Sequence, residues 1–224
     1  MQCVRIWFRK NGRAKYISHL DLMRAMTRAV NRAGIPLWYT EGFNPHPYLT
    51  FPLPLTLGVE SDRECMDIKV EDGVSLEKIK EGFDGIMPEG LEVYDVTLPF
   101  NDAKEIGFAS YRITLDFSSE AEAEKYAAEA EETIKAKNLT GRKRGKQGKR
   151  KVMKEVSLAE HIFNFVQKRE KSTVTVGVRL SAGCENTVNP LVFLNALNER
   201  TGITPEYYSF YKEGLYTSSG EIFT

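Results

Sequence analysis

Val4-Arg5-Ile6-Trp7-Phe8-Arg9, followed by Ser18-His19-Leu20-Asp21-Leu22-Met23-Arg24, is the stretch that decides the fold. In its first part Val4, Ile6 and Phe8 alternate with Arg5, Trp7 and Arg9, the period-two pattern of a strand with one buried face. Ser18 then reads as an N-cap. Behind it Leu22, Met26, Ala29, Val30 and Ala33 recur at helical spacing, an apolar stripe that Gly34 and Pro36 bring to an end.

Working outward, the pattern predicts a second strand over 37–40, a third over 65–70, a helix over 76–87 and a fourth strand over 91–98. The order is β-α-β-β-α-β. It recurs with a strand from Tyr111 to Phe117, an Ala- and Glu-rich helix capped by Ser118 or Ser119 and reaching Lys137, a weakly patterned segment over 150–168, a strand over 173–180, a helix over 190–199 and an aromatic strand over 207–212. The fold class expected is therefore α+β, with two tandem ferredoxin-like (βαββαβ) domains built on antiparallel sheets. The first covers 1–103. The second covers 104–224 and carries a basic loop over 141–154, the break lying where Pro99, Asn101, Asp102 and Gly107 interrupt the strands.

Composition narrows the class further. With 42% hydrophobic and 28% charged residues the chain reads as a globular protein able to bury a core. It has no apolar run of membrane-spanning length and no signal-peptide pattern, which points to the cytoplasm with no membrane partner. Cys3, Cys65 and Cys184 are odd in number and far apart, against a disulfide framework, a zinc ribbon or a cysteine-held cluster, so no metal and no cofactor is expected.

The net charge is zero, yet the charges are segregated. Residues 1–36 hold eight basic side chains against the single acid Asp21, and residues 142–154 hold another eight with no acid, while 60–105 and 116–132 are acidic. Such zones suit a polyanion, although a Gly-Lys-Arg mixture is also what a solvated, flexible loop looks like. On the predicted helix Arg24, Arg28 and Arg32 fall every four residues on one stripe, suited to a phosphate backbone or to plain solvation. On the first strand Arg5, Trp7 and Arg9 share the face away from the helices. Exposed, they make a base-stacking platform between guanidiniums; covered, Trp7 becomes core and the arginines reach the rim.

Two of the three histidines lie in this half. His19 and Asp21 sit in the first helical turn, and His46 lies in the proline-rich loop Gly42-Phe43-Asn44-Pro45-His46-Pro47. These are the candidate catalytic residues, either as a two-histidine, one-carboxylate metal site or with His46 as general base. An Asp in a first turn and a hydrogen-bonding loop histidine are the structural alternatives. The stretch 42–62 is long enough to be functional, which adds Phe43, Asn44 and His46 to Arg5, Trp7, Arg9, Arg24, Arg28 and Arg32 as candidate RNA or substrate contacts.

Three segments, 13–24, 41–47 and 55–61, resemble the radical SAM-linked proteins, a bacterial family of unknown function. The resemblance implies a radical S-adenosylmethionine protein as partner, encoded beside this domain or fused to it, and supplies no catalytic residues. This chain has no closely spaced cysteine triplet, so any radical chemistry belongs to another chain. The doubled element order is also similar to the RAMP-type CRISPR RNA endonucleases, without a counterpart of their Gly-rich loop near the carboxyl end. Together these expectations describe an accessory protein that binds or presents RNA; the alternatives are an RNA-processing or RNA-modifying enzyme using His19 or His46, and a protein-only adaptor.

Overall fold

The structure, a computed structural model, describes residues 1–147, 150–183 and 186–224. It is mixed α+β, with four α-helices among the described residues and a large, mostly antiparallel sheet. The chain divides into two compact units, Met1–Ile106 with Lys212–Thr224, and Gly107–Tyr211. The last residues, read from sequence as the end of the second half, thus belong with the first.

The first unit runs β1 (Gln2–Lys10), α1 (His19–Arg32), β2 (Leu49–Thr50), β3 (Val59–Val70), α2 (Leu76–Glu81) and β4 (Leu91–Thr97). β1 lies between β4 and β3, antiparallel to both, and β2 pairs with β3. Val4, Ile6 and Phe8 face the helices, where they pack with Leu22, Met26, Ala29 and Val30 from α1 and with Met66, Ile68 and Val70 from β3. Each of these side chains larger than Ala29 contributes about 1.5–3 kcal/mol on leaving water, and this face fixes how α1 lies on the sheet.

Two expectations are corrected here. The predicted strand over 37–40 makes only single bridges, Leu37 to Val70 and Tyr39 to Pro47, because Pro36 and Pro47 have no N–H to extend a ladder. The edge strand is instead the short β2. The predicted helix over 76–87 stops at Glu81, where Gly82 packs so closely on the end of α1 that a Cβ there would meet the Ala33 carbonyl oxygen at 3.1 Å.

The second unit contains β5 (Ile106–Asp116) from Gly107 onward, α3 (Glu120–Lys135), β6 (Thr140–Gln147), β7 (Arg150–Ser157), β8 (Ile162–Glu170), β9 (Thr173–Ser181) and α4 (Pro190–Thr201), and ends in β10 (Tyr207–Thr217), whose last residues return to the first unit. β9 lies between β5 and β8, antiparallel to both. Ser119 caps α3 by accepting from the Glu122 N–H. Asn189 caps α4, with Pro190 in its first turn and Gly202 closing it at φ +66°. Where the sequence suggests a basic loop over 141–154, the described residues form a hairpin of their own, β6 against β7. Gly148 and Lys149 of that segment, and Cys184, lie outside the described residues.

Candidate functional site

Of the candidate residues of the first unit, His19, Asp21, Arg24, Arg28 and Arg32 lie on α1, Phe43, Asn44 and His46 in the segment that follows it, and Arg5, Trp7 and Arg9 on β1. Ser18 starts the helix: its hydroxyl accepts from the Asp21 N–H at 3.2 Å and donates to the Asp21 carboxylate at 2.6 Å. Asp21 also accepts from Arg24 at 3.2 Å. The Ser18 hydroxyl first, then Arg24, hold the Asp21 carboxyl below the usual carboxylate range. Asp21 is thus a helix-capping acid already engaged on both oxygens.

Next to it, His19 packs edge-on against Phe51, with ring centroids 5.2 Å apart. Desolvation, and then the Lys10 ammonium, lower its proton affinity. Among the described residues no group of three or more His, Cys, Asp or Glu is placed to hold a metal, so the two-histidine, one-carboxylate arrangement of His19, Asp21 and His46 is not assembled.

His46 sits at the neck of an exposed loop. Its backbone carbonyl accepts from the Thr40 N–H at 2.9 Å, and its own N–H donates to the Thr40 hydroxyl at 3.2 Å. The ring Nδ1 lies 3.1 Å from the Asn44 carbonyl oxygen and 3.0 Å from Thr40 Oγ1. A carbonyl only accepts, so the Asn44 contact places a proton on Nδ1 and leaves Nε2 as the other nitrogen of an exposed ring. Gly42, at φ +133°, allows the turn, and Phe43 at its tip is fully exposed. Asn44 is exposed as well and contributes its carbonyl to the neck. Behind the loop the Lys69 ammonium lies 5.1 Å from the Trp38 ring and 4.4 Å from the Tyr48 ring, tying the segment to β3.

Arg24, Arg28 and Arg32 are exposed on α1. Arg24 is bound to Asp21, and Arg32 reaches the Ile86 carbonyl oxygen at 3.4 Å. Arg9 is partly exposed, donating to Glu92 at 2.9 Å and lying over the Tyr94 ring.

The stacking platform on β1 is corrected. Trp7 is 5% exposed and Arg5 1%, because the C-terminal segment covers that face. Arg5 donates through two nitrogens to Asp67, its cross-strand neighbour, at 2.7 and 2.8 Å, and through a third to the Thr224 carbonyl oxygen at 2.9 Å; its guanidinium lies 4.5 Å from the Phe223 ring. The Trp7 indole donates to Thr97 Oγ1 at 3.0 Å. Neither side chain is available to a base. Cys3 and Cys65 are free, and burial pushes the Cys65 thiol up to about 12, which makes it inert.

A buried ionic group on the opposite face escapes the sequence reading. Glu64 and Lys212, 2% and 0% exposed, approach to 2.5 Å. The two form a buried ion pair. Lys10, 1% exposed, donates to the Ile17 carbonyl oxygen at 3.4 Å, and burial lowers its proton affinity. The signal was parity: Lys10 continues Val4, Ile6 and Phe8, and Glu64 precedes Met66 and Ile68, so both extend the apolar sides of their strands.

A family model described as an uncharacterized protein conserved in bacteria (DUF2344) matches residues 4–190. The chain belongs to that family. No curated protein matches it.

Proposed function

We propose that this chain is a cytoplasmic, non-catalytic accessory of a radical S-adenosylmethionine enzyme, one that binds RNA or presents an RNA substrate to that partner. The observation that carries the RNA reading is the exposed series Arg24, Arg28 and Arg32 along α1. Guanidiniums spaced one helical turn apart on a solvated face suit phosphates, which accept two parallel hydrogen bonds from each. The partner rests on the resemblance of segments 13–24, 41–47 and 55–61. The fully exposed Phe43 gives that partner an apolar contact. The finer fold reading, two ferredoxin-like domains, is supported by the neighbour order β4-β1-β3-β2 in the first unit and β10-β5-β9-β8 in the second.

The test is RNA binding across a salt series with wild type and Arg24→Ala/Arg28→Ala. The expected result is micromolar or tighter binding whose dependence of log K on log salt falls by about 1.4–1.8 in the variant, roughly 0.7–0.9 for each phosphate that the variant no longer neutralises. Unchanged affinity and slope would remove α1 as the RNA surface.

One observation favours a second reading, an RNA-processing or RNA-modifying enzyme. The exposed ring of His46 is oriented by the contact of its Nδ1 with the Asn44 carbonyl, which turns Nε2 away from that contact, the orientation a general base uses. Loss of RNA turnover in His46→Ala with affinity intact would establish that reading over the accessory one.

A further inference from the structure

The β6–β7 hairpin is a two-stranded sheet paired with no other strand among the described residues. Its base is anchored. There the Leu158 N–H donates to the Leu139 carbonyl oxygen at 2.9 Å, both residues are buried, and Gly141 lies so near α4 that a Cβ would meet Leu158 at 2.8 Å and Val192 at 3.1 Å. Arg142 faces Glu199 of α4 at 3.8 Å. Beyond that the register pairs Lys143 with Lys154, Arg144 with Met153, Gly145 with Val152, Lys146 with Lys151 and Gln147 with Arg150.

This register works against the free hairpin. An isolated two-stranded ribbon is marginal in water, and like charges at directly opposed positions destabilise it further. Here two lysine pairs are directly opposed, and the two strands carry seven basic residues against one acid, Glu155. Opposed lysines cost the ribbon stability on its own; the two pairs are three residues apart and so occupy opposite faces, and a polyanion along one face offsets the repulsion of the pair on that face, releasing its counterions. The strands contain no aromatic residue, so they offer neither a stacking platform for single-stranded bases nor an interfacial anchor for a lipid surface.

We propose that the β6–β7 ribbon is a second nucleic-acid element of this protein and that its occupant is the phosphate backbone of an RNA stem. The inference rests on the RNA reading above and adds a site in the second unit that the α1 arginines do not touch. Recognition is of backbone and shape, without base readout, as suits an A-form helix whose base edges are poorly accessible.

The experiment uses the full chain and the variant Lys143→Thr/Lys146→Thr/Lys151→Thr/Lys154→Thr, with Arg24→Ala/Arg28→Ala beside it. Binding of a labelled RNA hairpin, the same sequence as duplex DNA, a single-stranded RNA and phosphatidylserine vesicles is followed by anisotropy or sedimentation across salt. The expected result is about a tenfold or greater loss of hairpin affinity at 0.1 M salt in the lysine variant and a fall of about 1.4–1.8 in its salt slope, from the two lysines of the contacting face, with the melting temperature unchanged or raised because the opposed charges are gone. A structural role alone would instead lower the melting temperature. If the fourfold variant fails to fold, Lys146→Thr/Lys151→Thr and Lys143→Thr/Lys154→Thr test the two faces separately, and one of them carries the slope change. Unchanged hairpin binding in the lysine variant overturns this inference and leaves the α1 reading standing. Wild-type protein that binds no RNA overturns both, and equal or tighter binding of duplex DNA, single strands or vesicles overturns the assignment to an RNA stem.

Discussion

Glu64→Gln is the perturbation that bears most directly on how the first unit is held together. The wild-type side chain is 2% exposed and its carboxylate lies 2.5 Å from the fully buried Lys212 ammonium, with the buried Lys10 on the same side of the sheet. Glutamine keeps the shape and removes the negative charge, which leaves buried ammonium groups without a counter-ion. Breaking a buried pair in this way costs about 3–5 kcal/mol. At about 2.1 cal/mol/K of unfolding entropy per residue, the 224-residue chain has about 0.47 kcal/mol/K, so the melting temperature should fall by about 6–11 °C. Differential scanning calorimetry reads this directly. The triple variant Lys10→Met/Glu64→Leu/Lys212→Met should melt near wild type or above it, since apolar replacement of buried ion pairs is often neutral or stabilising. A loss below about 2 °C in Glu64→Gln would refute the reasoning, because it would mean that water already solvates the group.

Other consequences are open to simple measurements. His19 should titrate by NMR with a midpoint below the ordinary 6.5 or so of histidine, and because its folded-state value is depressed, stability tied to it is complete above about 6.5, the unfolded value, and is lost as the pH falls from there through the folded midpoint. A His19 midpoint above 6.5 would contradict its packing against Phe51 beside Lys10. Gly90→Ala should destabilise by about 1–3 kcal/mol in urea unfolding, since Gly90 has φ +81° and a Cβ would sit 2.5 Å from the Asn11 carbonyl oxygen. Trp7→Phe should remove the quencher-resistant part of the tryptophan fluorescence and leave RNA affinity unchanged; a loss of affinity would restore the stacking platform.

Much of the fold was legible because helix and strand periods are local. The parity of Val4, Ile6 and Phe8, the Ser18 cap and the stripe from Leu22 to Val30 each specify one element and the face it buries. What was not legible depended on residues distant in sequence. Nothing near Trp7 says that Phe223 and Thr224 close over its face, or that Asp67 comes opposite Arg5. Nor does a run of Gly, Lys and Arg announce a hairpin, because charge and glycine lower strand propensity and only the pairing of β6 with β7 overrides it.

The site divides along the same line. Exposed residues on regular elements, such as Arg24, Arg28 and Arg32, can be placed from spacing alone, since nothing remote determines where a solvated helix face points. His46 could be identified as notable but not given a role, because its role turns on which ring nitrogen holds the proton. That is set by the Asn44 carbonyl folding back at 3.1 Å, a contact made possible by a loop whose ends are joined through Thr40. A proline-rich sequence predicts the loop and not its hydrogen bonds. The same contact makes a sharp discrimination available: Asn44 acts through its backbone, so Asn44→Ala should leave the His46 tautomer intact, whereas Thr40→Val removes a hydroxyl that braces the neck and should loosen it. Nitrogen-15 chemical shifts of the His46 ring that moved equally in both variants would count against the carbonyl as the group that holds the proton on Nδ1.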